Sequence, residues 1–149
     1  MGRARRRSKT IDARGNRTTF VCDDSNRLSG QQDALGNRTT LLYDLSGNPI
    51  ATIDALGYRT TQVYDSMNRV QAVVDALGDR TTYQYNATGL VEATIDARAN
   101  RNTNVFDNEN RVAAVVDPLG NRSTFVYNDA GWRLATIDAL DNRTRSPRR

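Results

Sequence analysis

Residues 54–74 read DALGYRTTQVYDSMNRVQAVV, and this 21-residue phrase decides the fold because the chain repeats it. Self-similarity at a fixed period indicates a repeat architecture. A residue that recurs in every copy is better explained by the scaffold than by chemistry. The copies begin at seven aspartates spaced 21 residues apart, the last copy being incomplete: Asp12, Asp33, Asp54, Asp75, Asp96, Asp117 and Asp138.

Two positions in each repeat predict tight turns. With the aspartate counted as position 1, position 4 is Gly in most copies and position 15 is always Gly or Asn. These residue types tolerate positive φ, so we expect left-handed backbone at position 15. An acid or its amide three residues earlier, such as Asp65 before Asn68, closes such turns through local hydrogen bonds.

The segments between the turns predict strands. In residues 54–74 they are Arg59–Tyr64 and Arg69–Val74, both rich in Thr, Val or Tyr and about as long as an average strand. Each repeat is therefore predicted to form one β-hairpin, and residues 12–143 to form one continuous, curved antiparallel sheet of an all-β fold. Residues 1–11 and 144–149 are basic tails, and we expect them to be disordered.

Alternation along the strands assigns their faces. Positions 17, 19 and 21 are apolar, as in Val70, Ala72 and Val74, and position 11 is aromatic in five of the six complete copies. A three-residue turn would pair position 11 with 17, 9 with 19 and 7 with 21, which would place the aromatic residue on the apolar face. The odd period then requires a four-residue loop at positions 2–5. Such a loop would pair position 1 with position 6, so that Asp54 and Arg59 form an ion pair.

Composition and charge limit the function. Apolar residues make up 38% of the chain, which predicts a thin sheet that buries one face and no compact central core. The net charge of +4 comes from the tails, because residues 10–142 contain 12 Arg and 17 acids. Phosphate contacts need clustered Lys and Arg, so we expect no specific nucleic-acid partner. No apolar run is long enough for a signal peptide or for membrane insertion.

The residue types do not predict an enzyme, a cofactor or a metal site. There is no His, and most acids occupy positions 1 or 12, where turn hydrogen bonding explains them. Turn aspartates can bind calcium, but each of these also faces an Arg that competes for the carboxylate. Cys22, the single cysteine, takes an aromatic position and is interpreted as a small apolar residue.

The phrase DxxGxRTxxxYDxxGRLxxxxD resembles the RHS repeat, also called the YD repeat after its Tyr-Asp pair. The resemblance covers residues 12–143. Two copies match the pair outright, Tyr85-Asn86 and Tyr127-Asn128 carry the amide, and Phe106 and Cys22 replace the tyrosine. The residues that match the repeat signature are Asp33, Gly36, Arg38, Tyr43, Asp44, Gly47, Asp54, Gly57, Arg59, Tyr64, Asp65, Asn68, Asp75, Gly78, Arg80, Tyr85, Gly89, Asp117, Gly120, Arg122, Tyr127 and Gly131.

The resemblance implies a structural function. In that family, consecutive hairpins form a sheet that winds into a hollow shell, which can enclose a C-terminal toxin domain in secreted or cell-surface bacterial proteins. This chain resembles a segment of the repeat tract without the RHS-associated core or the toxin. Its expected partners are neighbouring repeats or its own copies through sheet edges, with a toxin domain or a cell-surface glycan as further partners.

The alternative function is a carbohydrate-binding or adhesive module, associated with a cell wall or cell surface, whose aromatic rows stack on sugars. The shell requires that the aromatic face be covered or turned inward. The carbohydrate-binding module requires that this face be exposed to solvent.

Overall fold

The computed structural model describes residues 7–146 and confirms the predicted all-β fold. It divides into two compact units, one ending at Asp79 and one beginning at Arg80. Within each unit, every strand pairs antiparallel with the strands that precede and follow it in the chain. The strands of the first unit are β1 (Arg7–Ile11), β2 (Arg17–Cys22), β3 (Leu28–Gln32), β4 (Arg38–Tyr43), β5 (Pro49–Ile53), β6 (Arg59–Tyr64) and β7 (Val70–Val74). Those of the second unit are β8 (Arg80–Tyr85), β9 (Val91–Ile95), β10 (Arg101–Phe106), β11 (Val112–Val116), β12 (Arg122–Tyr127), β13 (Arg133–Ile137) and β14 (Arg143–Arg145).

The expectation of disordered tails is wrong where the structure describes them. Arg7–Ile11 forms β1, and its residues pair in sequence with β2. The physical reason is that these residues occupy positions 17–21 of the repeat, which are strand positions. Arg143–Arg145 likewise forms β14 and pairs with β13. The other tail residues, 1–6 and 147–149, lie outside the described residues.

Both turns of a repeat have the same construction. In the first, the N–H of Asp54 donates to the carbonyl of Tyr58 at 3.0 Å, and the N–H of Gly57 donates back to the carbonyl of Asp54 at 3.1 Å. In the second, Asp65 and Asn68 repeat this arrangement. A turn closed in this way places one residue in the left-handed region. The predicted positive φ at position 15 is confirmed in all six complete copies: Asn26, Gly47, Asn68, Gly89, Asn110 and Gly131.

A β-bulge in each hairpin changes the expected register. Tyr64 pairs with Val70, which confirms the pairing of positions 11 and 17, but Val63 then pairs with Ala72. The extra residue is Gln71 at position 18, which has no partner on the facing strand. The same shift occurs in the other five hairpins. The expected pairs of position 9 with 19 and of position 7 with 21 are therefore wrong.

The bulge also reconciles the odd repeat length with a constant orientation of the side chains. Ile53 pairs with Arg59, so the first turn joins position 21 to position 6, and the expected pairing of positions 1 and 6 is wrong. A shift of register by one residue exchanges the two faces of a strand. With two turns of equal length, an odd repeat would expose each position on alternate faces in successive copies. The extra residue at position 18 restores the same face in every copy. The odd period does require one irregular element per repeat, as predicted, but this element is a bulge in the strand and not a four-residue loop.

The register defines two faces, since directly opposed residues in a sheet project to the same side. We call positions 6, 8, 10, 19 and 21 the alanine face, and positions 7, 9, 11, 17 and 20 the tyrosine face. The prediction that the aromatic residue joins positions 19 and 21 is wrong. Tyr64 lies beside position 9, with its hydroxyl oxygen 2.7 Å from Oε1 of Gln62.

The buried apolar core consists of small residues. The five alanines at position 19 are 0–2% exposed, whereas no large side chain within residues 7–146 is fully buried. This agrees with the predicted lack of a compact central core. No helix long and apolar enough to cross a membrane occurs within residues 7–146. The alanines are Ala51, Ala72, Ala93, Ala114 and Ala135.

Candidate interaction surfaces

The aspartates at position 1 act as acceptors inside their own turns. Oδ1 of Asp33 accepts hydrogen bonds from the backbone N–H groups of Leu35 and Asn37, both at 2.9 Å. Its Oδ2 accepts a hydrogen bond from the side-chain amide of Asn37 at 2.8 Å. The Asn37 side chain and then the backbone N–H groups lower the pKa of Asp33, although partial desolvation opposes them. The carboxylate is therefore held ionised to close the turn.

The expected ion pair between Asp54 and Arg59 does not form. Asp54 accepts hydrogen bonds from its own turn, and Nε of Arg59 donates to Oγ1 of Thr61 at 3.3 Å. The reason is the register: position 6 already lies in a strand and is directed to the alanine face. Three of the four carboxylates at position 12 instead pair with an arginine four residues later, inside the second turn, whereas Asp44 accepts hydrogen bonds from Asn48. These pairs are Asp23–Arg27, Asp65–Arg69 and Asp107–Arg111, with N–O distances of 2.7–2.8 Å.

The tyrosines at position 11 link neighbouring hairpins. The hydroxyl of Tyr43 donates to the carbonyl of Leu28 at 2.8 Å, and that of Tyr127 donates to the carbonyl of Val112 at 2.9 Å. The accepting carbonyl belongs to position 17 of the preceding repeat. The pairing of β3 with β4 begins only at Gly30, so Leu28 lies beyond the hydrogen-bonded ladder. The hydroxyl thus supplies a donor where the strands have separated, a function that sequence reasoning missed.

One repeat lacks this hydroxyl and replaces it with another donor. Phe106 occupies position 11 of the fifth copy, and Nδ2 of Asn104 donates to the carbonyl of Val91 at 2.9 Å. Val91 is the position-17 residue of the preceding copy, so the accepting group is the same. The occurrence of Asn at position 9 in the copy that has Phe at position 11 was the available sequence signal.

Arginines cover the faces of some tyrosine rings. The guanidinium carbon of Arg27 lies 4.6 Å from the ring centroid of Tyr43, and that of Arg111 lies 4.8 Å from the centroid of Tyr127. A cation over an aromatic face is attracted by the ring quadrupole. Nη1 of Arg27 also donates to the carbonyl of Asp44 at 3.3 Å, which joins two successive repeats. These ring faces are therefore already occupied.

The repeat-signature residues lie in three separate places. Aspartates and their glycines occupy the turns, tyrosines the tyrosine face, and the position-6 arginines the alanine face, where all are exposed. Members of these groups approach one another only locally, since Arg38 and Tyr43 line one cavity together with the turn aspartate Asp23. The arrangement is that of a scaffold in which each repeat is hydrogen-bonded to the next.

Three solved structures have a fold similar to that of this chain. The crystal structures of TcdB2-TccC3-Cdc42 and of TcdB2-TccC3 each superpose with a TM-score of 0.65 at 12% sequence identity, over 85% of this chain. A Tc holotoxin pore of Photorhabdus luminescens gives a TM-score of 0.50 at 15% identity, over 86% of this chain. In each case the chain spans only 9% of the length of the protein that it matches. These similarities show the fold.

No curated protein matches the chain at a significant level. The RHS Repeat family, in contrast, matches residues 43–79, 64–101 and 106–143, which together make up more than half of the sequence. The matched stretches contain the turns and the Tyr-Asp pairs of Tyr43 and Tyr64. The chain belongs to the RHS repeat family.

Proposed function

We propose that the chain is a non-enzymatic wall segment of an RHS-type shell that encloses polypeptide cargo such as a toxin domain. The observation that carries this proposal is the continuity between repeats. Within each unit, successive hairpins are joined by ladder hydrogen bonds, and in places also by a tyrosine hydroxyl, by its asparagine substitute or by an arginine such as Arg27. A scaffold of this kind extends by repetition.

The absence of enzymatic activity is part of the proposal. The described aspartates at position 1 bond to the backbone of their own turns, and the acids at position 12 either do the same or pair with arginine. Catalytic carboxylates need a free oxygen near a reacting group and a pKa close to the working pH. Here hydrogen bonds hold the pKa of Asp33 below its ordinary value, which suits a structural acceptor.

The proposal is tested by the coding sequence around these repeats and by protease protection. We expect the repeats to continue and to be followed by a cargo domain. The intact product, treated with a nonspecific protease, should retain that domain undegraded until the shell is denatured. Degradation of the cargo at the same rate in the native and denatured product would refute enclosure, and so would a coding sequence without further repeats.

Two exposed aromatic residues support the second candidate, a carbohydrate-binding module. Trp132 is 69% exposed and Tyr58 is 57% exposed, and both lie in turns. The covered rings of Tyr43 and Tyr127 do not support sugar stacking on the tyrosine face. Binding to polysaccharides that is lost in Trp132→Ala but kept in Leu140→Ala, at another exposed turn residue, would favour this second function over the shell.

A further inference from the structure

A row of arginines that form no salt bridge within the described residues lies on the alanine face of the second unit. Arginine begins every second strand of this unit, and all four side chains are exposed: Arg80, Arg101, Arg122 and Arg143. The other residues of the alanine face in this unit include neither an acid nor an aromatic residue. They are Thr82, Gln84, Ala93, Ile95, Thr103, Val105, Ala114, Val116, Thr124, Val126, Ala135, Ile137 and Arg145.

The arginines of this row form no ion pair within residues 7–146. Arg101 donates from Nε to Oγ1 of Thr103 at 3.3 Å and from Nη1 to Oε1 of Gln84 at 2.7 Å, and both acceptors are neutral. All the salt bridges found within residues 7–146 involve arginines at position 16. None of the four arginines of the row forms a salt bridge within residues 7–146, although Arg122 lines one cavity together with Asp138 and Asp141.

Small residues at position 19 let a position-6 guanidinium approach this face closely. The arrangement is seen most directly at Gly30 of the first unit, where a Cβ atom would lie 3.8 Å from Nε of Arg38. The equivalent residue in the later repeats is Ala, the next smallest side chain. Larger side chains at position 19 would lift the guanidinium away from the sheet.

The register sets the distance between neighbouring arginines. From one repeat to the next, a line across the sheet passes from position 8 through position 21 to position 6, as in Thr82, Ile95 and Arg101. Successive arginines are thus displaced by two strand spacings across the sheet and by two residues along it, which corresponds to about 12 Å between Cα atoms. In an extended chain, side chains four residues apart project to one side and are separated by about 13 Å.

We propose that the alanine face of the second unit binds an acidic, extended segment of polypeptide, with a carboxylate near every fourth residue. Aliphatic residues lie directly beside the arginines, since Ile95 pairs with Arg101 and Val116 pairs with Arg122. They provide apolar contacts for the residues between the acids. This inference is independent of the enclosure proposed above, since it needs only the exposed face.

The same face is poorly suited to nucleic acid. Single strands are bound by a basic groove combined with aromatic side chains on which the bases stack, and the alanine face of this unit has no aromatic residue. An acidic peptide carries fewer charges per unit length and can match the spacing of the row.

The test measures peptide binding to the full chain by fluorescence anisotropy. The probe is a labelled 16-residue Ser/Thr peptide with Glu at every fourth position, and it is compared with a peptide of the same composition whose four Glu are contiguous. We expect the spaced peptide to bind at least fivefold more tightly than the contiguous one. The double variant Arg101→Gln/Arg122→Gln should weaken binding of the spaced peptide at least fivefold.

The matched control is Arg98→Gln/Arg133→Gln, which removes the same charge from the same unit away from the alanine face. Arg98 lies in a turn, and Arg133 lies 5.5 Å from the ring centroid of Phe125 on the tyrosine face. We expect the control to change the affinity less than twofold. Equal losses in the two double variants would refute the proposal, as would equal affinity for both peptides or tighter binding of a 16-nucleotide oligothymidylate.

A second measurement on the unmodified protein avoids any effect of the substitutions on folding. Phenylglyoxal modifies accessible arginine side chains, and mass spectrometry identifies the modified sites. Saturating spaced peptide should protect Arg101 and Arg122 at least threefold while Arg98 and Arg133 react as before. Uniform protection of all four, or protection of none, would also refute the proposal.

Discussion

Removal of the hydroxyl group of Tyr127 should lower the free energy of unfolding by about 1 kcal/mol. The hydroxyl donates to the carbonyl of Val112 at 2.9 Å in a partly buried environment. A neutral hydrogen bond of this kind contributes roughly 0.5–1.5 kcal/mol net of competition with water. Tyr127→Phe keeps the ring beneath Arg111, so the change isolates the hydroxyl. For a chain of this size the loss corresponds to a decrease of about 2–4 °C in Tm.

The fifth repeat provides the matched experiment, because it bonds the equivalent carbonyl through Asn104. Asn104→Ala should cost about 1 kcal/mol, since it leaves the carbonyl of Val91 without its donor. Phe106→Tyr should be nearly neutral in the unmodified chain but should recover about 0.5–1 kcal/mol in the Asn104→Ala background. This difference is a coupling free energy between residues that serve one acceptor.

The assay is urea unfolding followed by far-ultraviolet circular dichroism for the single and double variants. Asn102→Ala is the control for loss of an asparagine on the same strand. Asn102 is exposed, so we expect a change within about 0.5 kcal/mol. If Phe106→Tyr has the same effect with and without Asn104, the two side chains do not serve the same carbonyl and the reasoning fails.

Three further predictions concern the turns. Gly89→Val should lower the free energy of unfolding by at least about 1–2 kcal/mol, because Gly89 has a φ of +85° and β-branched residues resist this region. The exposed control Glu92→Ala should lower it by under about 0.5 kcal/mol. Equal losses in thermal unfolding would contradict the turn assignment. Ala99→Gly should stabilise the chain by up to about 1 kcal/mol, because Ala99 holds a φ of +64° at a position that is usually glycine, and a lower Tm would contradict this. Acid should destabilise the fold, because the native pKa of Asp33 lies below its ordinary value of 3.8. The ionised carboxylate of Asp33 stabilises the fold fully at a pH above 3.8, and this contribution is lost as the pH falls through the lower native pKa. Asn37→Ala should make the loss of Tm between about pH 5 and pH 2 smaller, and an unchanged loss would show that this amide does not lower the pKa.

Local chemistry predicted the hairpins. The strand segments of 54–74 and the left-handed residues Asn68 and Gly89 follow from residue types that act within a few positions of themselves. The bulge could not be predicted in this way, because position 18 has no common residue type: it is Gln71 in one copy and Ala113 in another. Its position is fixed by how two strands align, which is a property of the pair.

The errors about the candidate residues have the same origin. Two arginines, Arg59 and Arg69, lie near Asp65 in the sequence, and only the folded turn decides which one reaches it. The wrong register also placed the tyrosines on the wrong face. The function of their hydroxyls was missed because the accepting carbonyl belongs to a different repeat. Asn104 donates to this carbonyl in the copy that has Phe106 in place of tyrosine. A link between repeats can therefore be recognised in the sequence only where one copy replaces the usual donor with another.

The bulge at position 18 has a genetic consequence. If the codon for Ala113 were deleted in frame, the bulge between β10 and β11 would be lost, and the side chains of β12–β14 would exchange sides. If the codons of one whole repeat were deleted, every remaining residue would keep its side. Recombination between neighbouring copies can therefore lengthen or shorten the gene in whole units and still yield a folded product. Loss or gain of a single codon inside a strand does not yield a folded product, so viable alleles of such a gene should differ in length by whole repeats.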